Sequence, residues 1–364
     1  LGECRKYEFE LKLFYCYTSI ASIYLRLDDY DNAYKYYELC NKELTNYPDQ
    51  RESIEIFYLL AAEINYKLGD MKKAKNYIDM VLELYGDNQS IHALWAQILN
   101  KCIKIYLRKN DDDLIKDITN IVTIANKVLY VSSRLNIFYG VVILLYDNEI
   151  QEHASIIFNE INKINMDIDI KDHRVYVKKL YVDGLIKNTN SIEVFNEALE
   201  YSKKYKEIDI CWKIYTAIGD YYFNKEDYLY AVIYYFEACG ILKNINLKLP
   251  INYRLSYIRL NNAIRPFNRF LGINNYYKNN KDISMLKFEQ ASISDEEGLM
   301  GILEQVNHKD ILKNKNFIKS IKKIYSVSLH EGIHDIGDVL ENLQSDNLRN
   351  LELIIDYLSY ITLA

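Results

Sequence analysis

Residues 215–238 read YTAIGDYYFNKEDYLYAVIYYFEA, and apolar residues recur along them in two separate helical patterns. Residues three or four positions apart share one face of a helix. The first pattern ends at the polar turn 224–227, and the second begins at Tyr228. Gly219 and Ala231 stand where two antiparallel helices must approach closely, and aromatic residues surround both of them. The segment therefore predicts a helical hairpin.

The same hairpin pattern recurs along the chain. Two clear copies lie near the start, with polar turns at Asp28-Asp29 and Gly69-Asp70, and weaker copies fill the region up to residue 206. Small residues occupy the close-approach position of the first helix in six successive copies: Ala21, Ala62, Cys102, Gly140, Gly184 and Gly219. These residues are separated by 41, 40, 38, 44 and 35 positions. The chain is therefore predicted to contain an array of repeated hairpins.

This pattern resembles the tetratricopeptide repeat (TPR), a hairpin of about 34 residues with aromatic, Leu-Gly and Tyr positions in its first helix and Ala and Phe/Tyr positions in its second. The wider spacing here predicts helices lengthened by about a turn or more. The resemblance implies an all-α fold in which antiparallel helix pairs stack into a right-handed superhelix. A smaller C-terminal helical region is expected to follow it.

Breaks in the pattern give the expected domain organisation. About six helix pairs are predicted within residues 1–249, because Pro250 cannot continue a helix. Residues 250–283 are expected to form a bridging helix, interrupted near Pro266, and a polar linker that begins at Gly272. Residues 284–364 are expected to form a C-terminal helical region.

Composition excludes several other classes of protein. The chain has 364 residues, 45 Lys and Arg, and 51 Asp and Glu, and a net charge of −6 argues against direct nucleic-acid binding. Only 3 Pro and 12 Gly are present, too few for the turns of a many-stranded sheet. The longest apolar run, 139–146, is too short to span a membrane. Six scattered cysteines favour a reducing compartment, so we expect a cytoplasmic protein. Because Leu1 is not an initiator Met, we expect a segment of a longer protein.

One motif carries potential chemistry. His330-Glu331-Gly332-Ile333-His334 satisfies H-E-x-x-H and resembles the zinc site of zincin metalloproteases, in which Glu acts as the general base. Glu352 is a candidate third ligand. Three features count against this reading: no strand pattern precedes the motif, Gly332 weakens the helix, and Asp335 follows the second histidine. The structural alternative is a solvated helix start, and no cofactor is predicted.

A binding groove is the second candidate site. The resemblance implies that the first helix of each pair lines a concave face, and counting outward from the close-approach residues identifies the side chains on it. Mixed charge, amides and aromatic rings suit a protein or peptide segment, although each residue is equally compatible with an ordinary solvated surface. The predicted groove residues are Arg26, Glu63, Tyr66, Lys67, Tyr106, Arg134, Lys178, Tyr181, Lys213, Asp220 and Asn224.

Three functions follow from these features. The first is a non-enzymatic interaction module, a regulatory segment of a larger cytoplasmic signalling or transcriptional regulator, because the chain resembles TPR segments of regulators from low-GC Gram-positive bacteria. The second is a receptor of the peptide-pheromone type, with a short peptide in the groove. The third is a zinc metallopeptidase that uses His330, Glu331 and His334. Terminal repeats without polar caps also favour a homodimer.

Overall fold

The computed structural model describes residues 2–44, 51–85, 90–107, 113–128, 130–164, 172–186, 191–260, 262–279 and 296–305. Within these ranges the chain forms fifteen α-helices, one short 3-10 helix and no strand. The predicted all-α helical-repeat fold is therefore confirmed. The helices are α1 (Gly2–Arg26), α2 (Tyr30–Leu44), α3 (Arg51–Lys67), α4 (Met71–Tyr85), α5 (Ile91–Leu107), α6 (Leu114–Ala125), α7 (Val131–Asp147), α8 (Ala154–Lys163, preceded by the 3-10 helix Gln151–His153), α9 (His173–Ile186), α10 (Ser191–Tyr205), α11 (Ile208–Asn224), α12 (Tyr228–Lys248), α13 (Ile251–Leu260), α14 (Ile264–Asn279) and α15 (Glu296–Gln305).

The three clearest hairpins share one turn geometry. In each, the residue two positions after the end of the first helix has left-handed backbone, namely Asp28 (φ 54°), Gly69 (φ 85°) and Glu226 (φ 60°). An aspartate follows in each case, and its carboxylate accepts a hydrogen bond from a backbone N–H in the first turn of the next helix, at 3.3, 3.0 and 3.4 Å for Asp29, Asp70 and Asp227. One residue thus closes the first helix while the next caps the second.

Small residues allow the paired helices to approach. Ala21 and Ala62 are completely buried. A Cβ atom added to Gly184 would lie 2.4 Å from the Phe195 ring, so this glycine is needed where α9 meets α10. The prediction is wrong for Gly140, because a Cβ atom there would meet no atom within 4 Å. Gly140 is half-buried between buried neighbours, so the weak copy in α7 is displaced from the expected register.

The chain divides into two compact units. The first comprises Leu1–Cys211 and Asn244–Ala263, and the second comprises Trp212–Lys243 and Ile264–Ala364. In the first unit, α1–α2, α3–α4, α5–α6, α7–α8 and α9–α10 form successive hairpins. In the second unit, a Cβ atom added to Gly219 of α11 would lie 2.7 Å from the Tyr235 ring of α12, so this close approach also occurs where it was predicted.

Helix α13 packs within the first unit against the α3–α4 hairpin. The Tyr253 hydroxyl donates to Asn65 Oδ1 at 3.1 Å, and Ser256 Oγ donates to the Leu68 carbonyl at 2.8 Å. The backbone of Ser256 lies so close to Gly69 that a Cβ atom there would be 2.3 Å from the Ser256 carbonyl oxygen. A segment that follows the repeats in sequence therefore contributes to the core of the first two hairpins.

Two details after Pro250 differ from expectation. Residues 262–263 form a turn ahead of Pro266, which lies in the first turn of α14. Proline is tolerated there because that turn leaves its backbone N–H groups unpaired. The stretch from Gly272, which was expected to be a loop, is helical as far as Asn279. The Asn, Tyr and Lys residues of this stretch are only mildly unfavourable in a helix, so polarity alone did not identify its end.

Candidate functional site

Charged side chains from separate helices meet in the first unit. Four of the predicted groove residues are among them: Arg26, Glu63, Lys67 and Lys178. Three carboxylates that were not predicted join them, namely Asp28, Glu207 and Asp209. These three carboxylates and Lys67 all shift the pKa of Lys178. We define the inner cluster as Asp28, Glu63, Lys67, Lys178, Glu207 and Asp209.

Asp209 holds several parts of the chain together. It lies in the first turn of α11, and its backbone N–H donates to Asp28 Oδ2 at 3.2 Å. Its Oδ2 accepts from the Lys67 ammonium at 3.4 Å, and its Oδ1 accepts from the Tyr257 hydroxyl at 3.0 Å. The end of α3, the α1–α2 turn and α13 are therefore linked to the start of α11 through one residue, by its carboxylate and its backbone N–H.

The Asp209 carboxylate shifts the pKa of both Asp28 and Lys67. Burial and the nearby Asp209 carboxylate raise the pKa of Asp28 to about 6, although Lys67 opposes this shift. Burial disfavours the charged form of Lys67, but Asp209 and Asp28 outweigh it and raise the Lys67 pKa. Lys67 thus remains charged, whereas Asp28 can gain a proton in mildly acidic solution.

Lys178 extends the inner cluster onto α9. Burial and the neighbouring Lys67 lower the pKa of Lys178 to about 8, in spite of the surrounding carboxylates. Its ammonium donates to Asn136 Oδ1 on α7 at 2.7 Å. A cation that donates to a neutral amide keeps its charge unneutralised at that contact.

Glu63 is a further acidic residue of the inner cluster with a shifted pKa. Burial raises the pKa of Glu63 to about 7, against the opposing effect of Arg26 and Lys67. The Trp95 indole N–H donates to Glu63 Oε1 and joins α5 to α3. The carboxyl group therefore titrates near neutral pH while a fixed donor orients it.

The other predicted groove residues of the first unit have different surroundings. Burial raises the pKa of Tyr66 well above 10, and Tyr106 lies near enough to contribute. Tyr181 is buried in the core with its ring 6.1 Å from the Phe195 ring, so it does not line an open face. Arg134 is half-buried, and its Nε has no hydrogen-bond partner within the described part of the chain.

Three predicted groove residues belong to the second unit. The Lys213 ammonium lies 4.8 Å from the centre of the Trp212 ring, and this lysine is buried. Asp220 accepts a hydrogen bond from the Tyr235 hydroxyl at 2.7 Å and pairs with Arg265 at 2.7 Å. Asn224 is exposed at the end of α11. In this unit the prediction therefore selected two residues with structural contacts and one exposed residue.

The residues that the sequence did not reveal lie in turns and first turns of helices. Asp28 occupies a turn, and Glu207 and Asp209 flank the start of α11, where acidic residues are common for purely local reasons. The Arg174 guanidinium on α9 pairs with Glu207 at 3.0 Å. The sequence shows an acidic residue at a turn, Asp28, and another at a helix start, Asp209. Nothing in the sequence indicates that these two residues meet.

The inner cluster places the ammonium groups of Lys67 and Lys178 beside carboxylates. In the described ranges, no three His, Cys, Asp or Glu side chains are grouped so as to hold a metal ion. His330, Glu331, His334 and Glu352 lie outside those ranges, so the zinc hypothesis stays a prediction.

No described helix is long and apolar enough to cross a membrane.

Comparison with known families identifies two repeats: residues 14–42 and 55–88 match the tetratricopeptide repeat model. The matches begin 41 residues apart, which is the separation between Ala21 and Ala62. No curated protein matches the chain.

Proposed function

We propose that this chain is a non-enzymatic module that binds a protein or peptide segment, and that the inner cluster forms part of its binding surface. Tetratricopeptide repeats are protein-interaction units, and two are identified in the chain. The observation that carries the proposal is the set of charged side chains contributed by separate hairpins, with Lys67 on α3 and Lys178 on α9.

The mixed charge of the inner cluster favours a polar polypeptide. Its lysines suit carboxylates or backbone carbonyls of a partner, and its carboxylates suit backbone N–H groups or basic side chains. We further propose that the module is a regulatory segment of a larger cytoplasmic regulator.

A receptor for a short peptide is the second candidate. The observation in its favour is the contact between Asp28 and the Asp209 backbone, at 3.2 Å and 181 residues apart in sequence. A peptide that competes for these groups would change the relation between the α1–α2 turn and α11.

Selection from a displayed library of random dodecapeptides tests these proposals. We expect enriched peptides to bind saturably, and Lys67→Glu to reduce their binding at least tenfold. Lys116→Glu is the matched control, because the Lys116 side chain is 74% exposed on α6, away from the inner cluster. Failure to enrich any binder, or equal binding to both variants, would contradict the proposal.

The zinc hypothesis has a separate test. Metal analysis of the purified chain and peptidase assays of Glu331→Gln distinguish it from the interaction module. Stoichiometric zinc together with activity that this substitution abolishes would replace our proposal with a hydrolase.

A further inference from the structure

Lys178 differs from other half-buried lysines of the first unit in its contacts. Lys67, Lys101 and Lys179 each pair with a carboxylate, at 3.4, 2.6 and 3.1 Å. Lys178 is also half-buried, yet among the described residues no carboxylate forms an ion pair with it, and its nitrogen donates to Asn136 Oδ1 alone, at 2.7 Å. An ammonium has three N–H donors to satisfy, whereas a neutral amine has two and keeps a lone pair. The contacts of Lys178 therefore suit the neutral amine.

The surroundings of Lys178 also favour its neutral form. Burial and the Lys67 ammonium lower the pKa of Lys178 to about 8, and nearby carboxylates offset this effect only in part. An amine that is shielded from water and close to another cation is the usual setting of a nucleophilic lysine. The charged groups that act on Lys178 come from elements other than its own helix: Lys67 on α3, Asp28 in the α1–α2 turn, and Glu207 and Asp209 at the start of α11.

Open space lies close to the group that holds the Lys178 nitrogen. Gly140 follows Asn136 by four residues, so both lie on the same face of α7. Both residues are partly exposed. A Cβ atom added to Gly140 would meet no atom of the described chain within 4 Å. Space for a small molecule is therefore present one helical turn from Asn136.

The carboxylates of the inner cluster select the kind of electrophile. An acyl donor would convert the Lys178 amine into a neutral amide, and carbon dioxide would convert it into a carbamate anion. Either product lacks positive charge beside Asp28, Glu207 and Asp209. An aldehyde gives a protonated imine, which keeps a positive charge on the nitrogen. Nearby carboxylates stabilise that cation as they stabilise an ammonium, so an aldehyde suits this site best.

We propose that Lys178 is a nucleophilic amine that forms a protonated imine with a small aldehyde. The lone pair of the nitrogen forms a bond to the carbonyl carbon, and one amine proton moves to the carbonyl oxygen, which gives a carbinolamine. A second proton, supplied by a carboxyl group of the inner cluster or by water, joins that oxygen. Water then leaves with the electrons of the C–O bond, and the nitrogen lone pair forms the C=N bond. This covalent chemistry does not depend on the proposed function.

Reductive trapping with acetaldehyde tests the proposal on the 364-residue chain. Cyanoborohydride reduces each imine to an ethylamine. Lysines that have not reacted are then labelled with deuterated acetaldehyde after unfolding, so mass spectrometry gives an isotope ratio for every lysine. Lys67 is the internal comparison, because its side chain is 41% exposed but pairs with Asp209. We expect Lys178 to react at least about tenfold faster than Lys67 at about pH 7, since only a neutral amine attacks.

Two variants separate the chemistry of Lys178 from its accessibility. Asn136→Asp gives the ammonium a carboxylate partner and should slow the reaction of Lys178 at least about tenfold. Asn162→Asp introduces the same charge at an exposed position of α8 and should leave the rate unchanged. Circular dichroism establishes that both variants remain folded. A Lys178 that reacts no faster than Lys67, or a rate that Asn136→Asp does not change, would overturn the proposal.

Discussion

Substitution of Gly69 by alanine should weaken the first compact unit at the contact between the α3–α4 turn and α13. Gly69 has φ +85°, a conformation that costs a residue with a Cβ atom about 1 kcal/mol or more. The added Cβ atom would lie 2.3 Å from the Ser256 carbonyl oxygen and 2.6 Å from its carbon. Both are backbone atoms of a helix, so the collision is relieved only when α13 moves.

The expected cost follows from the contacts that such a movement breaks. The hydrogen bonds from Ser256 to Leu68 and from Tyr253 to Asn65 each contribute about 1 kcal/mol, and Asn65 is fully buried, which makes the loss of its partner more costly. Together with the backbone strain, the free energy of unfolding should fall by roughly 3–4 kcal/mol. Urea denaturation followed by circular dichroism measures this change.

Gly140→Ala provides the matched control. Gly140 lies within α7, and a Cβ atom added there meets no atom within 4 Å. Alanine is favoured over glycine inside a helix, so this variant should be stabilised by about 0.5–1 kcal/mol. Hydrogen exchange should increase in residues 251–260 of Gly69→Ala only. A loss below about 1 kcal/mol in Gly69→Ala, or unchanged exchange in α13, would refute the reasoning.

Three other predictions concern the same unit. Tyr257→Phe removes the hydroxyl donor to the carboxylate at the start of α11 and should cost about 1 kcal/mol in urea denaturation, whereas an unchanged midpoint would mean that the bond adds nothing. Asp28 and Glu63 have pKa values of about 6 and about 7, above their ordinary values of 3.8 and 4.5, so the folded state holds these protons more tightly than the unfolded chain. The free energy of unfolding should therefore fall as pH rises from about 4 to about 7. Denaturation series at several pH values should show a weaker pH dependence for Asp28→Asn than for the unsubstituted chain. An unchanged pH dependence would contradict the raised pKa of Asp28. Gly184→Ala places a Cβ atom 2.4 Å from an aromatic ring that can shift, so we expect a loss of about 1–3 kcal/mol in thermal unfolding, clearly different from the effect of Gly140→Ala.

The repeat architecture was predictable because it depends on local patterns. Alternation of aromatic and small residues located the hairpins, and Asp28-Asp29 and Gly69-Asp70 located two of the turns. Prediction failed at Gly140, where a glycine matched the expected spacing without a neighbour that required it. A small residue indicates a close approach only when the opposite helix is in register with it.

The inner cluster was only partly predictable. Helical spacing selected Lys67 and Lys178, which the structure brings near each other. It gave no information on Asp209 or Tyr257, because these residues reach the cluster through contacts between segments far apart in sequence. Periodicity reports which face a residue occupies, whereas the identity of the facing segment depends on how many hairpins intervene.

The contact between Asp28 and the Asp209 backbone also has a consequence for folding kinetics. An open repeat array folds through contacts between neighbours, so each hairpin can form independently of distant ones. Here a hydrogen bond of 3.2 Å joins residues 181 positions apart, across the four hairpins from α3 to α10 of the same unit. This closure adds non-local contacts that form only after the intervening helices are in place, which makes it a late step in refolding. The unit is therefore expected to tolerate the loss of an internal hairpin less well than an open array, because a missing pair of helices would separate the two aspartates.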